Sequence, residues 1–248
     1  MSAAASASLA LPPGAEPVPV GFRIGAPNEE APWVLIPGIR GDPCEFAALA
    51  PLLPGERILV ATSLLQLRSR PTPQTLSEFS ARLLEHLPPG RWRVIGASFG
   101  GLIARGLPAE RVEVLVTVGT LPAPSPASRR AGWMGRIVPL LPSPLYHRLY
   151  SRHDGKTREV EGSAAVELRA PPGPELGARL RAIGRWGVPT LGGPGRLALW
   201  GSSDPWLTWN EADVRAEGWT PGVVPGGHFP HISHPDEVWG AIRSLLHR

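Results

Sequence analysis

The chain has few of the groups that crosslink or metallate a small protein. Cys44 is its only cysteine, so no internal disulfide and no cysteine-rich zinc site can form, and a reducing compartment fits. Lysine is almost missing as well: Lys156 is the only one, and the other cations are arginines spread along the sequence. The pI of about 10.1 therefore accompanies a net charge of only +4. A nucleic-acid partner is not expected, because such a protein concentrates its cations on one face or helix. No stretch approaches the roughly 18 uninterrupted apolar residues of a membrane span. Met1 to Val20 is rich in Ala, Ser and Pro but lacks a basic start and a long apolar run, so it reads as a loose tail rather than a secretion signal. These absences point to a cytoplasmic protein. What remains, 42% hydrophobic and 19% charged residues in 248, is the composition of a folded chain long enough for one large core.

Short apolar runs alternate with longer helical patterns, which predicts an α/β fold with parallel strands joined by crossover helices. The strand-like runs are Trp33 to Ile36, Ile58 to Ala61, Trp92 to Ile95, Val112 to Val118 and Arg196 to Trp200. Thr75 to His86 carries Leu76, Phe79, Leu83 and Leu84 near helical spacing, and Pro88-Pro89-Gly90 ends it. A closing helix starts at Pro235 with Val238, Trp239, Ile242, Leu245 and Leu246 on one stripe. Leu121 to Pro194 interrupts the alternation. It is rich in Pro and Gly and reads as an insertion with short helices over Arg130 to Leu141, Leu145 to Tyr150 and Glu175 to Arg185, fit to cover a site.

A serine hydroxyl becomes a nucleophile when it is exposed, when a histidine takes its proton and when a carboxylate orients that histidine. Gly96-Ala97-Ser98-Phe99-Gly100 follows the strand-like Trp92 to Ile95 and precedes the helical Leu102-Ile103-Ala104-Arg105, the context of a sharp turn that holds a nucleophile above a sheet. The glycines keep that turn free of collisions, and the Phe99 amide at the helix start faces developing negative charge. The five-residue pattern alone is weak, since this composition yields about 0.2 matches by chance.

Three further stretches supply context, in the order nucleophile, acid, base. Trp33 to Gly41 is a strand running into a glycine-bearing loop, whose Ile39 amide is the second candidate oxyanion donor. Leu197 to Pro205 is a strand ending in a turn that presents Asp204, the best placed of only five aspartates. Gly222 to Pro230 is a short strand opening into a loop with His228, 24 residues after Asp204. The candidate triad is Ser98, Asp204 and His228.

With these motifs the chain resembles the α/β-hydrolase superfamily from roughly Val18 to its C-terminus. The matching pieces are the Pro37-Gly38 loop, the elbow at Ser98, the Gly201 to Asp204 turn and the Gly227-His228 loop. The resemblance implies an α/β-hydrolase fold, a mostly parallel central sheet flanked by helices, with a helical cap inserted after Val112 to Val118. It divides the chain into a tail over 1–17, a core over 18–120 and 195–248, and a cap or lid over 121–194. Two departures narrow the chemistry. Pro37-Gly38 stands where many members carry His-Gly, and Thr62-Ser63-Leu64-Leu65 replaces a Gly-x-Gly-x-Ser turn. With a serine nucleophile, this disfavours epoxide and haloalkane hydrolysis.

The resemblance is strongest to serine carboxylesterases and lipase-like enzymes, and implies a small-molecule or acyl ester substrate. An acyl thioesterase and a non-catalytic binding protein of the same fold are the alternatives. Trp133, Met134 and Ile137 in the insertion are candidates either for lining an acyl pocket or for packing the cap on the body. His228, His231 and His234 are spaced by three, yet Pro230 and Pro235 make the stretch a loop and no second ligand cluster exists, so no metal is expected. No organic cofactor is needed either, because the triad supplies nucleophile, base and electrostatics.

Overall fold

The apolar runs lie side by side in one eight-stranded sheet. The computed structural model describes residues 11–27, 29–68, 71–121, 123–151, 170–187 and 195–247. The strands are β1 (Glu16–Val18), β2 (Gly21–Ile24), β3 (Trp33–Ile36), β4 (Arg57–Val60), β5 (Trp92–Ala97), β6 (Val112–Val118), β7 (Arg196–Gly201) and β8 (Thr220–Val224). Their spatial order is β1-β2-β4-β3-β5-β6-β7-β8. Six strands from β4 to β8 run parallel, while β1 and β2 form an antiparallel edge. That edge takes Glu16 and Pro17 out of the expected tail; residues 1–10 of the tail lie outside the described residues.

Helices cross between the strands: α1 (Thr62–Arg68), α2 (Leu76–Leu84), α3 (Phe99–Ala104), α4 (Pro126–Ile137), α5 (residues 143–151), α6 (Gly173–Arg185), α7 (Glu211–Ala216), α8 (Pro230–Ser233) and α9 (Pro235–Leu246). Thr75 starts α2 with a reciprocal cap: its hydroxyl accepts the Glu78 amide while the Glu78 carboxylate accepts the Thr75 amide. α4, α5 and α6 all fall between β6 and β7, so the helical insertion leaves the sheet there; its residues 152–169 and 188–194 lie outside the described set.

Alternation along each strand divides the core into two layers. Val34 and Ile36 join Phe79 and Leu83 of α2 and Leu102 of α3 on one face. Trp33 and Leu35 join Phe46, Leu49 and the Val238 and Ile242 pair of α9 on the other. All four β3 residues are fully buried, as a strand covered on both faces requires. The chain steps from β3 outward to β4, then returns to the opposite side of β3 for β5. Loops diverge at such a reversal and leave a crevice at the carboxyl ends of the strands. Among the described residues no helix is long and apolar enough to cross a membrane.

Candidate active site

The loops after β3, β5, β7 and β8 meet at this crevice. Ser98 sits between β5 and α3 with φ +48° and ψ −112°, a left-handed conformation that is costly for a residue with a side chain. Its amide donates to the Val118 carbonyl at 2.7 Å and its own carbonyl accepts from Gly101 at 3.1 Å, which holds the strain in place. The glycines around it are steric necessities. A Cβ on Gly100 would stand 2.0 Å from the Ile36 carbonyl oxygen, and one on Gly96 would stand 2.6 Å from Gly101 Cα.

His228 reaches both partners across the crevice. Its Nε2 lies 3.1 Å from Ser98 Oγ and its Nδ1 lies 2.8 Å from Asp204 Oδ2. The second oxygen of Asp204 is occupied, accepting the amides of Trp206 at 2.8 Å and Leu207 at 3.1 Å. These amides fix the carboxylate, so Oδ2 is left facing the imidazole. The side chains of His228 and Asp204 are 9% and 2% exposed, so their contact is largely withdrawn from water and correspondingly strong. Gly201 lets the acid and base loops touch, since a Cβ there would meet the Gly227 carbonyl at 1.9 Å.

The loop after β3 stands beside Ser98: a Cβ on Gly38 would be 3.5 Å from Ser98 Cβ. The peptide joining Gly38 to Ile39 is held from several directions. Its carbonyl accepts the Gly41 amide at 3.0 Å in a tight turn, with Gly41 at φ +72°. The preceding amide, Gly38 N–H, donates to both oxygens of Glu45 at 3.0 and 3.1 Å. The following carbonyl, on Ile39, accepts from Arg179 Nη1 at 2.6 Å. Neither the Ile39 nor the Phe99 amide is taken by another described residue, so both remain available as donors.

Glu45, His231 and Arg179 are not among the site residues read from the sequence. Glu45 is fully buried, and its carboxylate also lies 3.1 Å from His231 Nε2, tying the β3 loop to the segment that follows His228. An acid directly heading the apolar stretch Phe46 to Leu53 is the signal for Glu45; nothing local marks its partner. Arg179 is a fully buried cation on α6 that also bonds Ser63 Oγ, Gln66 Oε1 and Glu175 Oε2 at 2.8–3.0 Å. Burial pushes its pKa down to about 10, with Glu175 opposing, which still leaves it charged near neutrality.

The three histidines spaced by three face different partners. His228 faces Ser98 and Asp204, His231 faces Glu45, and His234 Nδ1 lies 2.9 Å from Ser233 Oγ. The insertion residues are spread over α4: Trp133 is 63% and Met134 46% exposed, while Ile137 is half-buried. Within the insertion, Tyr146, Val138 and Leu176 pack together with Ile39 and Tyr150 at the edge of the cluster, so α5 and α6 lie over the β3 loop.

Residues 33–241 match the sequence profile described as the alpha/beta hydrolase family. Comparison with curated proteins gives no match. Among solved structures, a hydrolase from Pseudomonas aeruginosa PA01 is 19% identical with a TM-score of 0.69, over 91% of this chain and 93% of that one. A thermophilic esterase from Thermogutta terrifontis is 19% identical with a TM-score of 0.65, over 94% and 98%. An enzyme that recognises and ring-cleaves the Pseudomonas quinolone signal is 20% identical with a TM-score of 0.66, over 94% and 99%. At such identities the likeness is one of fold.

Proposed function

This chain belongs to the alpha/beta hydrolase family, and from that premise we propose that it is a serine hydrolase that cleaves carboxylic esters through Ser98, Asp204 and His228. The observation that carries the proposal is the bridging position of His228, 3.1 Å from Ser98 Oγ and 2.8 Å from Asp204 Oδ2. Nε2 takes the hydroxyl proton as Ser98 Oγ attacks the ester carbonyl carbon. The carbonyl oxygen gains the negative charge and is met by the Ile39 and Phe99 amides, where a single donor contributes about 3 kcal/mol in enzymes of this type. Collapse of the tetrahedral species breaks the bond to the alkoxy oxygen, which leaves with the proton from Nε2. Water then attacks the acyl-serine, giving its proton to Nε2, and the acid departs as Ser98 recovers its hydrogen. Asp204 keeps Nδ1 protonated, so Nε2 is the nitrogen free to accept.

Of the three insertion candidates, an acyl-pocket role for the half-buried Ile137 belongs to the same proposal, whereas Trp133 and Met134 stand on the exposed side of α4. It rests on the place of Ile137 in the insertion that covers such sites in the family. The test is a rate profile across p-nitrophenyl esters of increasing chain length, run beside an acyl thioester. Ester hydrolysis that falls by about 10⁶-fold in Ser98→Ala is expected. Background rates on every ester from a folded protein would overturn it, and turnover of the thioester alone would move the assignment to a thioesterase.

A further inference from the structure

The chain's positive charge is concentrated where its surface is also apolar. Residues 121–151 contain Arg129, Arg130, Arg136 and Arg148 and neither Asp nor Glu, so this segment accounts for the whole net charge of +4 and the rest of the sequence balances. The same segment supplies Trp133, Met134, Leu140, Leu145 and Leu149, five of the eight large apolar side chains that stand exposed among the described residues. The packing of α6 brings Arg181 and Arg185 to the same side.

The packing explains why these side chains face outward. α4 and α6 cross almost backbone to backbone: a Cβ on Gly184 would stand 2.2 Å from Gly132 Cα, and one on Gly135 would stand 2.6 Å from the Arg181 amide nitrogen. Glycines on the inner face leave the bulky residues on the outer one. Arg129, Trp133 and Arg136 then fall at i, i+4 and i+7 on one stripe of α4, and Leu140 follows in the short 3-10 turn at its end. Trp133 and Leu140 are 63% and 79% exposed. Beside the stripe, a hollow of about 290 Å³ opens between α4 and α6, bordered by Trp133 and four arginines, Arg129, Arg136, Arg181 and Arg185. None of the four has a carboxylate partner among the described residues. Arg181 is instead held by Gln74 Oε1 at 3.0 Å and the Gly135 carbonyl at 2.7 Å.

Four guanidinium groups without a carboxylate partner around one hollow attract an anion, and their planar forks suit the oxygens of a phosphate. A soluble anion would satisfy the arginines alone and leave Trp133, Met134 and Leu140 in water. A phospholipid surface satisfies both, with arginines at the phosphate level and Trp and Leu entering the boundary with the acyl chains. We propose that this face of the cap docks on an anionic phospholipid surface, with a headgroup phosphate in the arginine hollow and Trp133 and Leu140 in the headgroup–acyl boundary. This docking does not depend on ester hydrolysis.

The test is co-sedimentation with vesicles of phosphatidylcholine alone and of phosphatidylcholine mixed with phosphatidylglycerol, on the full chain. Wild type and Ser98→Ala are expected to bind the anionic vesicles equally well and at least about tenfold more tightly than the neutral ones, with binding weakened by salt. Arg129→Gln with Arg136→Gln should lower binding to the neutral-vesicle level. Trp133→Ala with Leu140→Ala should weaken it about tenfold while the protein's circular dichroism is unchanged. Equal binding to both vesicle types, or full anionic binding by either double variant, would overturn the proposal. So would binding of a DNA duplex as tightly as the vesicles, or self-association that needs Trp133 and Leu140 without any vesicle binding. Loss of ester turnover in Ser98→Ala without loss of sedimentation separates this proposal from the catalytic one.

Discussion

Glu45 joins the two halves of the site, holding the Gly38 amide with both oxygens and lying against His231 three residues beyond the base. Replacing it with Gln removes a charge-assisted acceptor in a place water does not reach. Glu45→Gln is expected to cost about 1–3 kcal/mol of stability in urea denaturation and to lower kcat about tenfold while KM changes less, because the peptide that offers the Ile39 amide is held less firmly. A stability loss with kcat unchanged would leave Glu45 a purely structural residue. Cys44, its neighbour, behaves in the opposite way to a reactive thiol. Burial, and then the negative Asp42, push its pKa up to about 11, so only about one thiol in a thousand is ionised near pH 8. Iodoacetamide should therefore modify the folded protein far more slowly than the unfolded one; equal rates would contradict that environment.

Elements differ in how plainly the sequence announces them. β3 and β6 match their apolar runs residue for residue, since buried parallel strands are apolar on both faces. β1 and β2 are not anticipated. They carry Pro17, Gly21 and Arg23 at an antiparallel edge, where only one face is covered and no continuous apolar run is needed. α4 begins at Pro126 rather than Arg130, because Ser125 caps it reciprocally with Ser128 and Pro126 suits the first turn. That signal is local and readable. The glycine crossing of α4 and α6 is not, since Gly132 and Gly184 lie far apart in sequence and glycine in a helix reads as a weak point. The crossing makes a paired prediction in urea denaturation. Gly184→Ala should destabilise by about 1–3 kcal/mol by prising the helices apart. Gly240→Ala in α9, where an added Cβ meets nothing within 4 Å, should stabilise by about 0.5–1 kcal/mol. Equal effects would mean that α4 and α6 are not in such close contact.

Across the whole molecule, the candidate site is assembled from four strand ends. Its order along the chain is legible because each of Ser98, Asp204 and His228 directly follows its own strand or turn signal. The contacts that brace it are not legible: Glu45 to His231 spans 186 residues and Arg179 to Ile39 spans 140, and no local pattern links such partners. Arg179 makes the helical insertion part of the candidate site, because α6 grips the carbonyl beside the candidate oxyanion amide. The outer side of that insertion holds the charge and apolar surface, so the proposed ester chemistry and the proposed surface docking fall on opposite faces of one helical layer.

Labelling with a fluorophosphonate, followed by mass spectrometry of the peptides, tests the central claim most directly. Wild-type protein should carry a single adduct on Ser98; Ser98→Ala should carry none, and His228→Ala should label slower by about 10⁶-fold. A folded wild-type protein that stays unlabelled, or an adduct on any residue other than Ser98, would contradict the account.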